Sequence, residues 1–164
     1  KEFMGHQIPP YAILSHTWGS NEVIYQDMLL RRDSDAHDVN SETKEGFLKV
    51  LGTCKLLKDH YAPLDWAWVD TCCIDKSSSA ELSEAINSMY NWYRNSEICL
   101  VYLPDVSSGA DLYGSFRQSR WFLRGWTLQE LIAPRRVKFF SQDWVEIIDR
   151  YSWAEEIQII TGIP

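Results

Sequence analysis

The stretch "EICLVYLP", residues 97–104, decides the fold. Six consecutive apolar residues follow one glutamate and end at a proline, with neither the polar–apolar alternation of a half-exposed strand nor the spacing of an amphipathic helix. A short unbroken apolar run of this kind is the outline of a buried strand in a parallel sheet. Three similar runs stand elsewhere: "YAILSH" (11–16), "DWAWVD" (65–70) and "RVKFF" (136–140). Helical segments are expected between and after them.

From 43 to 60 the positions Phe47, Val50, Leu51, Cys54 and Leu57 recur at helical spacing, with Lys49, Lys55 and Lys58 outside that stripe. Ser78 with Glu81 three residues on reads as a capping box. It opens a helix with Leu82, Ala85, Ile86, Met89 and Tyr93 on one stripe. "SRWFLRGWTLQELIAP" (119–134) is read as a further helical segment ended by Pro134, and Ser152 with Glu155 as the cap of a last helix running towards Gly162. "EVIYQDM" (22–28) fits either element, and the polar, aperiodic 31–44 reads as a loop. Strands alternating with helices call for right-handed crossovers and a mainly parallel sheet covered on both faces, a three-layer α/β domain. The chain is expected to be a single domain over 1–164.

A chain of 164 residues with 45% hydrophobic composition and eight tryptophans is large and apolar enough to bury a core. Its formal charge of −7 argues against nucleic acid or an anionic membrane as the main partner. No apolar run approaches the roughly 18 residues that span a bilayer. Cys54, Cys72, Cys73 and Cys99 lack metal or disulfide spacing, and no secretory signal is present, so a reducing, cytoplasmic setting and no metal site are expected.

In open α/β sheets ligands collect beyond the carboxyl ends of the strands. Those ends hold Ser15, His16, Thr17 and Trp18, then Asp70, Thr71 and Cys72, then Pro104 and Asp105. Ser15, His16, Trp18 and Asp70 are therefore candidate ligand-binding residues. A triad of Ser15, His16 and Asp70 is conceivable, although adjacent residues of a strand rarely face one another. A Cys72 or Cys73 thiol with His16 is a weaker candidate. In the 119–134 segment Trp126 and Glu130 stand four residues apart, expected on one helical face, with Arg120 and Arg124 as candidate partners for a pyrophosphate. The ordinary alternative is a surface glutamate beside a core tryptophan.

Three blocks, "IPPYAILSHTWG", "WVDTCCIDKSSSAELSEAINSMYNWY" and "SRWFLRGWTLQELIAP", resemble in order and spacing the signature blocks of the fungal heterokaryon-incompatibility (HET) domain. That resemblance implies a role in self/non-self recognition, triggering regulated cell death when incompatible strains fuse. It also implies an amino-terminal place in a longer receptor-like chain. The segment Trp126 to Leu131 is, further, similar to the S-x-W-C-x-x-E-L motif of Toll/interleukin-1 receptor (TIR) domains, with Thr127 where cysteine is usual. TIR domains are flavodoxin-like in strand order, so this second resemblance implies that architecture. It also implies that Glu130 is the residue required to cleave the nicotinamide–ribose bond of NAD. NAD would then be a substrate rather than a redox cofactor, since no phosphate-binding glycine loop is present. Two readings follow: an NAD-hydrolysing enzyme active once self-associated, or a non-enzymatic assembly module that recruits other death effectors.

Overall fold

The computed structural model describes residues 3, 7–33, 44–150 and 152–162. Its centre is a sheet of five strands, β1 (Ala12–His16), β2 (Ala67–Val69), β3 (Ile98–Tyr102), β4 (Val137–Phe140) and β5 (Glu146–Asp149), in the order β2-β1-β3-β4-β5. The first four run parallel and β5 pairs antiparallel with β4. Two helices, α1 (Tyr25–Asp33) and α2 (Glu45–His60), lead from β1 to β2. A single turn, α3 (Asp70–Cys73), and the long α4 (Ser79–Asn95) lead on to β3. Beyond it come α5 (Leu112–Arg117), a 3-10 turn (Arg120–Leu123), α6 (Thr127–Ile132) and, after β5, α7 (Ala154–Thr161). Of the ambiguous 22–28 segment, residues 25–28 open α1, which runs on through residues 31–33 of the expected loop, while residues 34–43 of that loop lie outside the described residues.

All five β1 residues are buried, as a central strand between β2 and β3 requires. Successive strand side chains point to opposite faces. Ile13, Cys99, Val101, Val137 and Phe139 join one core, with Tyr93, Phe116, Trp121, Leu131 and Ile157 from the helices of that face. Ala12, Leu14, Ile98, Leu100 and Phe140 join the other, with Leu56 and Leu57 of α2. The three-layer α/β architecture is thus present. The alternating pattern missed β5, a four-residue strand joined to β4 by a hairpin rather than a helix. At its turn Trp144 adopts φ 59°, and its indole stacks on Tyr102 with ring centroids 4.6 Å apart.

Two helices carry different stripes from those expected. In α2 the buried residues are Gly46, Lys49, Thr53, Leu56 and Leu57, while Leu51 and Cys54 are exposed. Glycines set this rotation: they carry no apolar side chain to count, yet mark where the helix comes closest to its neighbours. A Cβ on Gly46 would stand 2.6 Å from the Val23 nitrogen and 2.7 Å from the Glu22 Cα. Gly46→Ala, ordinarily a gain of about 1 kcal/mol within a helix, should therefore destabilise, by about 1–3 kcal/mol for a backbone clash. A urea midpoint at or above that of the wild type would refute this close approach. In α4, Ser78 caps as expected, accepting from the Glu81 N–H at 3.3 Å, but the box is not closed, since the Glu81 carboxylate accepts from the Asp75 N–H instead. Ala85 and Tyr93 are buried, but Leu82 and Ile86 of its expected stripe are exposed.

At the last helix, Ser152 is not the cap. The residue before α7 is Trp153, which makes no capping bond, and the Ser152 N–H donates to Asp149 instead. Gly162 does end α7, with φ 70°.

Candidate active site

The site is built on the alternation within β1. Ser15 and His16 are its last two residues, both nearly inaccessible, and they point to opposite faces of the sheet. The triad of Ser15, His16 and Asp70 is therefore absent: His16 meets Asp70 on one face, while Ser15 bonds to Glu130 and Trp121 on the other.

On the Ser15 face the segment 119–134 is not one helix. Ser119 caps a short 3-10 turn, accepting from the Trp121 N–H at 3.3 Å, and the chain is extended at Arg124 and turns at Gly125 and Trp126 before α6 begins. Thr127, Glu130 and Leu131 form the buried side of α6. The Thr127 hydroxyl fixes that rotation by donating to the Trp121 carbonyl at 2.5 Å. This inverts the ordinary reading of the Trp126/Glu130 pair, and the two do not share the buried face. Trp126 lies just outside the helix and is 41% exposed, whereas Glu130 is 4% exposed. The core tryptophan is Trp121, a residue that helical spacing alone does not pick out.

Glu130 has a full set of partners. The Ser15 hydroxyl donates to Oε2, and Ser15 in turn accepts from the Trp121 indole Nε1 at 2.7 Å. The Arg124 guanidinium forks across the carboxylate, Nη1 to Oε2 at 2.8 Å and Nη2 to Oε1 at 3.0 Å. Carboxylate and guanidinium are matched in charge and planar shape, the arrangement a buried acid requires. The negative charge also reaches its neighbours, adding to the burial that raises the Tyr93 and Cys99 groups well above their ordinary values. Arg120, expected at this site, is held by Asp105 instead, its backbone N–H at 2.8 Å and its side chain largely exposed. It stays at the carboxyl edge of the sheet but outside the bonded cluster.

On the opposite face His16 is held between Asp70 and Lys49. Its Nε2 lies 3.1 Å from Asp70 Oδ1, and Lys49 Nζ lies 3.4 Å from Nδ1. An ammonium only donates, so Nδ1 accepts from it and Nε2–H donates to Asp70. Lys49 also donates to the Thr17 carbonyl and pairs with Glu22. This lysine is buried, against the expectation that it lies outside the packed stripe. Trp18 donates from Nε1 to Asp70 Oδ2 at 2.8 Å, and its half-exposed ring carries Lys76 Nζ 3.4 Å from the centroid. Burial pushes the Asp70 carboxyl up, but the His16 hydrogen bond, the Lys76 charge and the Thr71 N–H outweigh it and leave it below its ordinary value. The group on this face is thus a closed, charge-balanced structure.

It also removes the cysteine candidates. Both His16 nitrogens are engaged, Cys72 donates to the Val23 carbonyl at 3.5 Å, and burial pushes its thiol up to about 12. Among the described residues no group of three or more His, Cys, Asp or Glu side chains is arranged to hold a metal, and no helix is long and apolar enough to cross a membrane. A depression of about 370 Å³, bordered by Cys54, Leu57 and Ala67, opens at the amino end of β2 and takes in neither cluster.

The strand order makes β1 the point from which the chain departs first to one side and then to the other, so the crevice between the carboxyl ends of β1 and β3 is where such sheets take ligands. Ser15 stands at that edge. Comparison with known proteins matches the same region, since the family model described as "Heterokaryon incompatibility protein (HET)" covers residues 11–115, more than half of the chain. The chain belongs to the HET family.

The matched span of this HET-family chain includes Ser15, His16, Trp18 and Asp70 and ends before Arg124 and Glu130. A curated relative, "Vegetative incompatibility protein HET-E-1" of Podospora anserina, is 45% identical over 179 aligned residues. That alignment covers all of this HET-family chain, and the chain spans 12% of the relative. No solved structure matches it significantly.

Proposed function

We propose that this HET-family chain acts in heterokaryon incompatibility as a cytoplasmic effector of regulated cell death, and that it does so, once self-associated, by cleaving the nicotinamide–ribose bond of NAD. The family membership and the relative's name support the first part. The likeness of residues 126–131 to the TIR motif supports the second, together with the flavodoxin-like, TIR-like reading of the fold. One observation carries the chemistry: Glu130 is a buried carboxylate fixed by three hydrogen bonds from Ser15 and Arg124 at the carboxyl edge of the sheet. Breaking the glycosidic bond sends its electron pair to the nicotinamide nitrogen and leaves positive charge on the ribose. A fixed carboxylate in a dry site stabilises that charge as it develops. Water then adds to the ribose carbon and gives up a proton, so the products are nicotinamide, ADP-ribose and a proton. Ser15 keeps the carboxylate in place, and Trp121 keeps Ser15.

A specific observation favours the second reading, a non-enzymatic assembly module. Leu123, Trp126, Leu128 and Ile132 project outward around the buried glutamate, Leu123 with 84% of its surface exposed.

The deciding assay follows NAD over time with the chain fused to an oligomerising scaffold. Wild type should consume NAD, and Glu130→Gln and Glu130→Ala should each lower the rate by about 100-fold or more, the scale on which fixed electrostatic groups act. Both variants must keep the wild-type circular dichroism. Undiminished NAD with a scaffold that still kills cells would instead establish the assembly reading.

A further inference from the structure

The glutamate assigned to NAD chemistry is covered by the protein's own arginine. That contact is strong but unequally rooted. The Glu130 side chain is 5% exposed and held on the rigid, buried side of α6, whereas the Arg124 side chain is 22% exposed. Arg124 sits outside any helix, in extended backbone (φ −80°, ψ 141°) at the end of the 3-10 turn. Gly125 follows, and a Cβ there would meet nothing within 4 Å. Space for the segment to move is therefore present where the arginine is attached, and lacking where the glutamate is. A guanidinium fork fits a phosphate as well as it fits a carboxylate.

From this we infer that Arg124 is a displaceable counter-ion that selects the ligand: it covers Glu130 in the empty site and passes its bidentate contact to the diphosphate of an incoming nucleotide, uncovering the carboxylate. The inference rests on the reading of Glu130 as a ligand-facing group.

The exchange defines a ligand class. Once Arg124 has turned away, Glu130 retains only the Ser15 hydroxyl among the partners described, and a buried carboxylate left short of partners is costly. The ligand must then supply two things at once, an anion for Arg124 and a cation or hydroxyl donors for Glu130. A diphosphate linked to a ribose meets both needs, and a nicotinamide ribose adds the positive ring. Inorganic diphosphate meets only the first and should bind weakly.

The test is calorimetric binding of ADP-ribose and of inorganic diphosphate to the 164-residue chain and to two variants. In wild type the ligand competes with Glu130 for the arginine, so the apparent affinity is reduced by the fraction of time the pair is open. Glu130→Gln weakens that competition while keeping an acceptor for Ser15. It should therefore bind inorganic diphosphate about 100-fold more tightly than wild type does, if the pair is open about a hundredth of the time. Arg124→Met should bind ADP-ribose at least about 30-fold more weakly than wild type, the loss of a bidentate charged contact.

A merely structural pair would give no gain in Glu130→Gln, and that result, or no binding by any of the three proteins, overturns the inference. Binding by Glu130→Gln alone supports it. The outcome is separate from the NAD assay. Failure of NAD cleavage alongside a gain in diphosphate affinity would remove the enzyme reading and leave the ligand switch standing. Cleavage with equal affinities would do the reverse.

Discussion

Arg124→Ala is expected to lower the stability of the domain by about 3 kcal/mol, the low end of what stranding a buried charge costs. Arg124 reaches solvent and Glu130 does not, so the variant keeps the charge that cannot rehydrate and loses the one that balanced it. For a domain of this size the loss should lower Tm by about 6–12 °C. The reverse deletion, Glu130→Ala, should cost less, because the arginine left behind can turn to water. This asymmetry is the signature of the pair's placement, and urea denaturation of the two variants reads it directly. The double variant Arg124→Met/Glu130→Gln should recover most of the loss, since neutral groups of similar length carry no unpaired charge. The resulting double-mutant cycle should show coupling well above the few tenths expected of independent sites. Equal small losses in both single variants would make the contact an exposed ion pair of little worth.

The second large effect falls on Trp121. Its side chain is wholly buried and meets Phe122 and Phe139 edge-on, with ring centroids 5.1 and 5.5 Å away. Trp121→Ala should cost about 3–5 kcal/mol through the cavity it leaves. Domains are stable by only about 5–15 kcal/mol, so this variant will be marginal. Trp121→Phe separates packing from hydrogen bonding. It keeps most of the ring but leaves Ser15 without its donor, a loss of about 1–2 kcal/mol. The hydroxyl that donates to Glu130 then loses its anchor, so Trp121→Phe should lower NAD turnover more than its stability predicts. A variant as unstable as Trp121→Phe but lacking any turnover defect would show that Ser15 needs no anchor.

The fold could be read from the sequence because unbroken apolar runs admit few alternatives. All four strands expected from such runs are present, and each is bounded within two residues of the run that announced it. β5 could not be read: "VEIID" alternates only briefly, and nothing local says that a hairpin replaces the crossover helix. The candidate site was legible in part. Strand ends named Ser15, His16 and Asp70, and the 119–134 segment named Glu130 with Arg120 and Arg124, but not Trp121. That omission comes from treating 119–134 as one helix, where a 3-10 turn and the Arg124–Gly125 break change which residues face inward. Lys49 and Glu22 were missed for another reason. Periodicity counts a charged side chain as solvent-facing, and only the tertiary arrangement, with Gly46 drawing α2 onto the loop after β1, shows that the lysine is needed inside.

The alternation along β1 ties two polar clusters together by parity. Ser15 serves one face and His16 the other because a single peptide bond separates them, and no hydrogen bond between the clusters is required. A residue inserted or deleted between Ala12 and Leu14 would exchange their faces, offering imidazole to Glu130 and Arg124 and a hydroxyl to Asp70 and Lys49. Both charge-balanced groups would fail from one change that alters neither. Length variation in this strand is thus forbidden in odd steps.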